Sequence, residues 1–265
     1  LSVYALSRSH VRDVLEPIKE EGKNVQHNRT LAAIRGMFNW AIDKEWPRDL
    51  QRRPDASPIE INPASKIKPA VENDRDRALN DAEIRKLLKH LPKHTDPETA
   101  DFPLFVLATV CRIGEAASME HKHLFDDEWR QPTSKNGKSH TVFLSDYAQA
   151  ILERRPTSKG FMWPNESTAT GHIRRDTVSK ELKEIMPKLK LEAFTPHDMR
   201  RTLATWLGDN EVSERIHDRI LNHQKKTLQR RYNVAKYNRP ARDWWQNWGQ
   251  HLQELSADNV VKLKG

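Results

Sequence analysis

Cysteine is almost missing from this sequence, with Cys111 the single example. One thiol can neither close an internal disulfide nor build a cysteine-based metal cluster, which fits a reducing compartment. No apolar run approaches the length of a membrane span or the core of a signal peptide. The Walker loop GxxxxGK[ST] is absent as well, removing a common cradle for nucleoside triphosphates. Among 12 histidines, His121 and His123 stand close together without further ligand company, so neither a metal site nor a cofactor is expected.

What is present is charge. The chain of 265 residues is 31% charged, enough length for one large or two modest domains, and reads as a soluble protein. Residues 171–242 hold 17 Lys and Arg against 9 Asp and Glu, an excess equal to the whole net charge of +8. Concentrated basic charge is the electrostatic footprint of a nucleic-acid binder, although a solvated surface would look the same.

In chain order, Ser7 reads as the cap of a short amphipathic helix through Val11 and Leu15 that ends before Gly22. Residues 26–46 read as a longer helix, with Leu31, Ile34, Met37, Phe38, Ala41 and Ile42 at helical spacing. From Pro47 to Arg77 the period is lost among five prolines and many charges, the mark of a linker. Asn80 with Glu83 forms a capping box ahead of Ile84, Leu87, Leu88 and Leu91. Phe102–Met119 is the most apolar run and reads as a core helix, and an arginine inside it, Arg112, must find an anion; Glu115, one helical turn on, offers a local ion pair. Trp129–Ser145 predicts a β-hairpin around Asn136-Gly137, with Lys135 and Lys138 beside the turn, where lysines are ordinarily solvent decoration. Phe161–Pro164 is a short apolar element. A helix is expected from Asp176 to about Met186, with Arg174, Arg175, Lys180 and Lys183 as candidates for phosphate contacts.

The densest chemistry lies in Thr195–Tyr232. Thr195 is a good N-cap, Pro196 suits the first helical position, and Asp198 complements the dipole. His197 and Arg200 then share one face at the end of a helix that favours anions. Leu203, Ala204, Trp206 and Leu207 supply its buried side, and Gly208-Asp209-Asn210 ends it. Val212-Ser213 opens a second helix that carries Ile216, Ile220 and Leu221 inward and stops at Asn222-His223. Thr227 caps a third, containing Tyr232. Four candidate groups on successive elements describe a site for a phosphodiester.

HDMR, then LNHQ, then a tyrosine nine residues after that histidine resembles the C-terminal signature of the tyrosine recombinases, most closely the integrases of prophages and genomic islands. CRIGEA resembles the motif of the family's first catalytic arginine and the acidic residue that orients it, although the usual preceding glycine is replaced by Val110-Cys111. SKNGKSHTVFLS resembles the hairpin that carries the catalytic lysine, which points to Lys135 ahead of the turn, with Lys138 as competitor. The resemblance implies a mainly α fold with a small antiparallel sheet. Residues 1–70 would form a helical core-binding domain that closes over the far side of the duplex and ends near Asn62-Pro63. Residues 71–265 would form the catalytic domain. Starting at Leu1 without Met, the sequence suggests a fragment lacking an N-terminal arm-binding domain.

By the same resemblance, Tyr232 attacks a backbone phosphorus to give a 3′-phosphotyrosyl link. Arg112 and Arg200 clamp the nonbridging oxygens, Lys135 protonates the leaving 5′-oxygen, and Glu115 supports Arg112. His197 and His223 share proton withdrawal and phosphate binding in interchangeable roles. Lys66, Lys68, Arg174, Arg175, Lys180, Arg201, Lys225, Lys226, Arg230 and Arg231 are candidate DNA contacts; the two lysines could equally keep a linker soluble. The implied partners are double-stranded attachment sites, further copies of the chain in a tetramer, and directionality or bending proteins, all in a bacterial cytoplasm. Trp244, Trp245 and Trp248, on one helical stripe, are expected to dock on a neighbouring copy, with packing on their own domain as the alternative. A type IB topoisomerase-like enzyme and a non-catalytic helix-turn-helix DNA binder stay open as other readings.

Overall fold

The computed structural model describes residues 5–44, 46, 59–72, 76–93, 97–134, 137–155, 159–223 and 237–257. The chain divides into two compact units, Leu1–Arg75 and Asp76–Gly265. The fold is mainly helical with one small antiparallel sheet.

In the first unit, α1 (Arg8–Glu20) and α2 (Asn24–Asp43) pack through Val11, Leu15 and Leu31. Ser7 caps α1 as its sequence suggests, paired with the His10 ring at 2.7 Å. The linker expected over 47–77 needs correction for residues 59–72. There Ala64 and Ile67 complete the α1/α2 cluster, and Ile59 joins Phe38 and Ala41. Polar side chains of α2 tie the strap down: Asn28 donates to the Ala70 carbonyl (2.8 Å) and accepts from its N–H (2.7 Å), while Arg35 donates to the carbonyls of Ala64 and Ile67. Asn62 is buried, donating to the Arg35 carbonyl at 3.1 Å and to Asn39 at 2.6 Å. Proline denies this stretch a helical period without denying it a packed position.

The second unit is built around α4 (Pro97–Thr109), whose Phe102, Leu104, Phe105, Val106 and Leu107 are buried. Before it, α3 (Asp81–His90) starts at the expected capping box, Glu83 N–H donating to Asn80 at 3.0 Å. The apolar run to Met119 is not one helix. Val110 takes a left-handed conformation, φ +48°, and Arg112 is the N-cap of a separate short helix, α5 (Ile113–Ala117). β1 (Leu124–Phe125), β2 (Glu128–Gln131) and β3 (His140–Phe143) form the sheet in that order, with Gln131 opposite His140. Next come α6 (Asp146–Glu153) and α7 (Arg175–Lys188), which keeps Pro187 in its last turn instead of stopping at Met186. α8 (Pro196–Asp209) and α9 (Glu214–Ile220) lead to the last helix, α10 (Asn238–Ser256).

α10 takes the alternative position for the tryptophan stripe, packed on its own domain. It packs on α3, α4, α6 and α9 of its own unit, with Trp245 and Trp248 fully buried. Trp244 is half-buried, edge-on to Trp206 at 5.9 Å. Both buried indoles donate to carbonyls at the C-terminal end of α4, Trp248 to Leu107 (2.9 Å) and Trp245 to Thr109 (3.2 Å). The last carbonyls of a helix have no partner inside it, so α10 satisfies groups that its own unit would otherwise leave orphaned. The helix expected at Thr227, with Lys225, Lys226, Arg230, Arg231 and Tyr232, lies outside the described residues, as does Lys135.

Candidate active site

Three backbone ends meet where the basic groups gather: the chain leaving α4, the first turn of α8 and the last turn of α9. Arg200 comes from α8. Thr195 caps that helix as expected, its N–H and hydroxyl both donating to Asp198 at 2.8 and 2.9 Å. Asp198 is fully buried, and its other oxygen accepts from Arg201 at 3.1 Å. The nearest carboxylate in sequence thus serves the cap, and Arg200 is held otherwise. Its guanidinium, buried, donates to the carbonyl of Val110 and to that of Leu221 at 2.6 Å. Burial first, and the charge of Arg112 second, push its pKa down to about 10. Such a group gains from any anion that reaches it.

Arg112 sits beside it. One terminal nitrogen donates to Glu115 at 3.1 Å and the other to the Asn222 carbonyl at 3.4 Å; its backbone N–H also reaches Glu115, at 3.3 Å. The two arginines therefore rest on consecutive carbonyls, 221 and 222, at the end of α9. Asn222 is left-handed, φ +49°, and this turns its carbonyl and the following His223 out of the helix. Of the five N–H groups of each guanidinium, the described hydrogen bonds use two.

The two histidines flank the pair. Burial, followed by the Arg201 and Arg200 charges, holds His197 below the ordinary imidazole range. His223 is lowered by burial first and Arg200 next, with Asp218 at 3.9 Å pulling the other way. Both are thus biased to the neutral form, able to accept a proton. The hairpin is formed as expected: the Ser134 N–H donates to the Lys138 carbonyl at 2.9 Å, and Gly137 supplies the left-handed turn position, φ +71°. Lys138 is exposed.

The outlying basic residues differ in their commitments. Lys66 and Lys68 are exposed on the strap of the first unit. Arg174 and Lys180 are exposed, the former 3.4 Å from Asp176. Arg175 lies against Gly114 of α5, where an added Cβ would sit 3.5 Å from its side chain, so α7 borders the Arg112 turn. Arg201 is engaged by Asp198.

Two residues at the site escaped sequence reasoning. His140 of β3 is buried against the Trp245 ring, and Arg219 of α9 donates to its Nδ1 at 3.1 Å and to the Thr141 carbonyl at 2.9 Å. The only sequence signal was the hydrophobic alternation that turns His140 inward with Val142. Among the described residues, no cluster of His, Cys, Asp and Glu could hold a metal ion.

Comparison with known proteins follows the geometry. The model of the phage integrase family matches residues 77–239. An integrase from mycobacterium phage Brujita shares the fold at a TM-score of 0.56 and 18% identity, covering 93% of this chain and 83% of its own. A lambda integrase dimer bound to a COC′ core site gives 0.66 and 16%, with 85% and 82% covered. The XerH recombinase bound to difH before cleavage gives 0.63 and 16%, with 92% and 71% covered. No curated protein matches the chain.

Proposed function

The chain belongs to the phage integrase family, and on that premise we propose how its residues divide the chemistry of DNA strand exchange. It is a tyrosine recombinase, a site-specific DNA strand transferase. The observation that carries the assignment of roles is the pair Arg112 and Arg200. Two adjacent guanidiniums are seated on the carbonyls of residues 222 and 221, and among the described residues Arg200 has no ion pair. Their unused N–H groups form a preorganised clamp for the nonbridging oxygens of a phosphodiester, whose charge builds in the five-coordinate transition state. Glu115 keeps Arg112 in place.

Tyr232 is the nucleophile. Its proton passes to His197 or His223, its oxygen bonds to phosphorus, the bond to the 5′-oxygen breaks, and Lys135 gives that oxygen a proton. One ester replaces another, so the bond energy is kept for religation. Tyr237, the other nearby phenol, accepts from Arg215 at 2.7 Å and is left with a structural part.

The partner is double-stranded DNA at attachment sites. The first unit would close over the duplex, with Lys66 and Lys68 facing its backbone, and Arg174, Arg175, Lys180, Lys225, Lys226, Arg230 and Arg231 would follow the phosphates. Lambda integrase forms a tetramer on a Holliday junction; the present chain is proposed to assemble likewise, with directionality or bending proteins, in a bacterial cytoplasm. Contact between copies through the C-terminal tail belongs to the same proposal, and exchange of α10 would require Trp245 and Trp248 to leave their own unit. No helix among the described residues is long and apolar enough to cross a membrane.

Covalent capture of genomic DNA fragments tests the roles. Wild type and Tyr237→Phe should attach through a 3′-phosphate, and Tyr232→Phe should not. Attachment by Tyr232→Phe would reassign the nucleophile, and a wild type that never attaches would leave a DNA binder only. Supercoil relaxation by a monomer, without exchange between paired sites, would favour the topoisomerase-like reading.

A further inference from the structure

α9 runs out into the turn whose carbonyls, those of Leu221 and Asn222, accept from Arg200 and Arg112. Two residues before that turn, Arg219 carries a side chain that joins the helix end to two other elements. Its Nη1 donates to the Thr141 carbonyl at 2.9 Å and to Nδ1 of His140 at 3.1 Å, both on β3. Its Nε donates to the Asn238 side chain, at the start of α10, at 3.0 Å. A guanidinium has only donors, so the His140 nitrogen that faces it is the unprotonated one.

These three partners are all neutral. Glu128, the acid whose charge reaches Arg219, is bonded to Arg130 and Arg242. The guanidinium lies 5.8 Å from the Phe143 ring centre and 6.0 Å from that of Trp245, and burial holds its pKa below the ordinary arginine range. A half-buried cation among neutral acceptors costs solvation that no ion pair offsets. What the planar fork adds is direction, because Nε and Nη1 reach α10 and β3 together only when both elements hold one geometry.

β3 is the strand that leaves the hairpin turn. His140 follows Lys138 by two residues, and the Ser134 N–H closes the turn on the Lys138 carbonyl at 2.9 Å. Arg219 therefore stands between the hairpin with the candidate proton donor and the helix end that seats the two arginines.

We propose that Arg219 is a positioning residue for the cleavage step, its fork fixing the hairpin that carries the proton-donating lysine relative to the end of α9 that seats Arg200 and Arg112. The proposal rests on the reading of those arginines as the phosphate clamp and of a hairpin lysine as the donor. In that step the tyrosine oxygen bonds to phosphorus, the bond to the 5′-oxygen breaks, and the lysine supplies the proton that this oxygen takes up. A donor displaced from the clamp slows proton delivery and leaves DNA binding as it was.

The leaving atom supplies the test. Arg219→Lys keeps the charge and most of the stem but ends in one nitrogen, which cannot stand in for Nε and Nη1 together. Asn238→Ala removes the bond to α10 and leaves both bonds to β3. The substrate is the DNA fragment that wild-type protein captures from a genomic library, resynthesised with oxygen or with sulfur at the 5′-bridging position of the cleaved phosphate. On oxygen, Arg219→Lys should attach roughly 10- to 100-fold more slowly than wild type at saturating DNA, the scale of loss from a shift of about 1 Å in a reacting group. On sulfur, whose thiolate leaves without a proton, it should come within about threefold of wild type on the same substrate. Half-saturating DNA concentration should be unchanged, and Asn238→Ala should match wild type on both substrates.

Equal slowing on oxygen and sulfur would overturn the proposal, since neither a shifted clamp nor a loosened fold discriminates between the two. A loss confined to half-saturation would make Arg219 a DNA contact, and the same selective slowing in Asn238→Ala would move the effect to α10; either refutes it. An Arg219→Lys protein that shows no cooperative melt makes the residue purely structural and refutes it too. Nitrogen-15 spectra of the DNA-free wild type should show hindered rotation of the Arg219 guanidinium and an unprotonated Nδ1 on His140; a freely rotating guanidinium contradicts the bridge. If wild type attaches no DNA, the reading of the whole site fails and the proposal with it, whereas attachment by wild type with unselective slowing in Arg219→Lys sinks the proposal alone.

Discussion

Replacing Trp248 by Phe removes one hydrogen bond and little else. The indole is fully buried, tilted on Trp206 at 5.3 Å, and its N–H donates to the Leu107 carbonyl at 2.9 Å. Phenylalanine preserves most of the packing but abandons that carbonyl, one of the last four of α4 and without a partner inside the helix. Leaving a buried acceptor unpaired costs about 1–3 kcal/mol, whereas Trp248→Ala, which also opens a cavity, should cost about 3–5 kcal/mol. For a unit of this size each kcal/mol lowers the melting temperature by about 2–4 °C. Trp244→Phe, at a half-buried ring with no described indole hydrogen bond, should change little. Denaturant melts of the DNA-free protein supply the comparison. Equal effects of Trp248→Phe and Trp244→Phe would refute the capping of α4 by α10. An unchanged melt after deletion from Arg242 onward would refute the docking of α10 within its own unit and reinstate its transfer to a neighbour.

Gly249→Ala should destabilise by about 1–3 kcal/mol, because an added Cβ would lie 2.3 Å from Ser145 Oγ and 2.5 Å from its Cβ, and a short side chain cannot swing away; an unchanged melting temperature would place α10 elsewhere. Acid should weaken the fold through His140: lowered to about 3 from 6.5, it stays neutral while the unfolded chain takes up a proton, so its contribution is complete above about pH 6.5 and declines by about 2 kcal/mol at pH 5. His140→Gln should flatten that part of the stability profile, and an unaltered slope would show that the ring titrates normally. Lys135→Ala should slow cleavage strongly and be rescued by a 5′-bridging sulfur, whose thiolate leaves unprotonated, whereas rescue of Lys138→Ala alone would exchange the two lysines. At left-handed Val110, Val110→Gly should be more stable than Val110→Ala by about 1 kcal/mol, reversing the usual cost of glycine; the opposite order in denaturation would contradict the positive φ.

The elements legible in the sequence were those whose local chemistry agrees with their tertiary place. Asn80 with Glu83 and Thr195 with Asp198 announce helix starts through contacts three residues apart, and both appear. The hairpin was legible for the same reason, since its turn and its alternation are local. The misreadings arose where a distant group replaces a local one. Residues 59–72 look like a linker because their backbone partners are Asn28, Arg35 and Asn39 of α2, which no periodicity exposes. Phe102–Met119 looks like one helix because nothing in Val110-Cys111 suggests a break, yet the resemblance carried the clue: the family pattern has a glycine there, the residue most at ease at the positive φ that Val110 adopts. The tryptophan stripe showed how much apolar area must be covered without showing by what.

The arginine pair carries this contrast to the site itself. HDMR and CRIGEA reveal which guanidiniums are present, because side-chain identity is what a sequence records. Their placement depends on the carbonyls of Val110, Leu221 and Asn222, which any residue would supply, and so on the courses of α4 and α9. α4 is held by Trp245 and Trp248, and α9 is tied to the hairpin at His140 and Thr141, which accept from Arg219; all four lie 20 or more positions away from either motif. A reader of motifs therefore recovers the chemistry and misses its scaffolding, and the substitutions that should disable cleavage without touching a reacting group are those at the scaffolding residues.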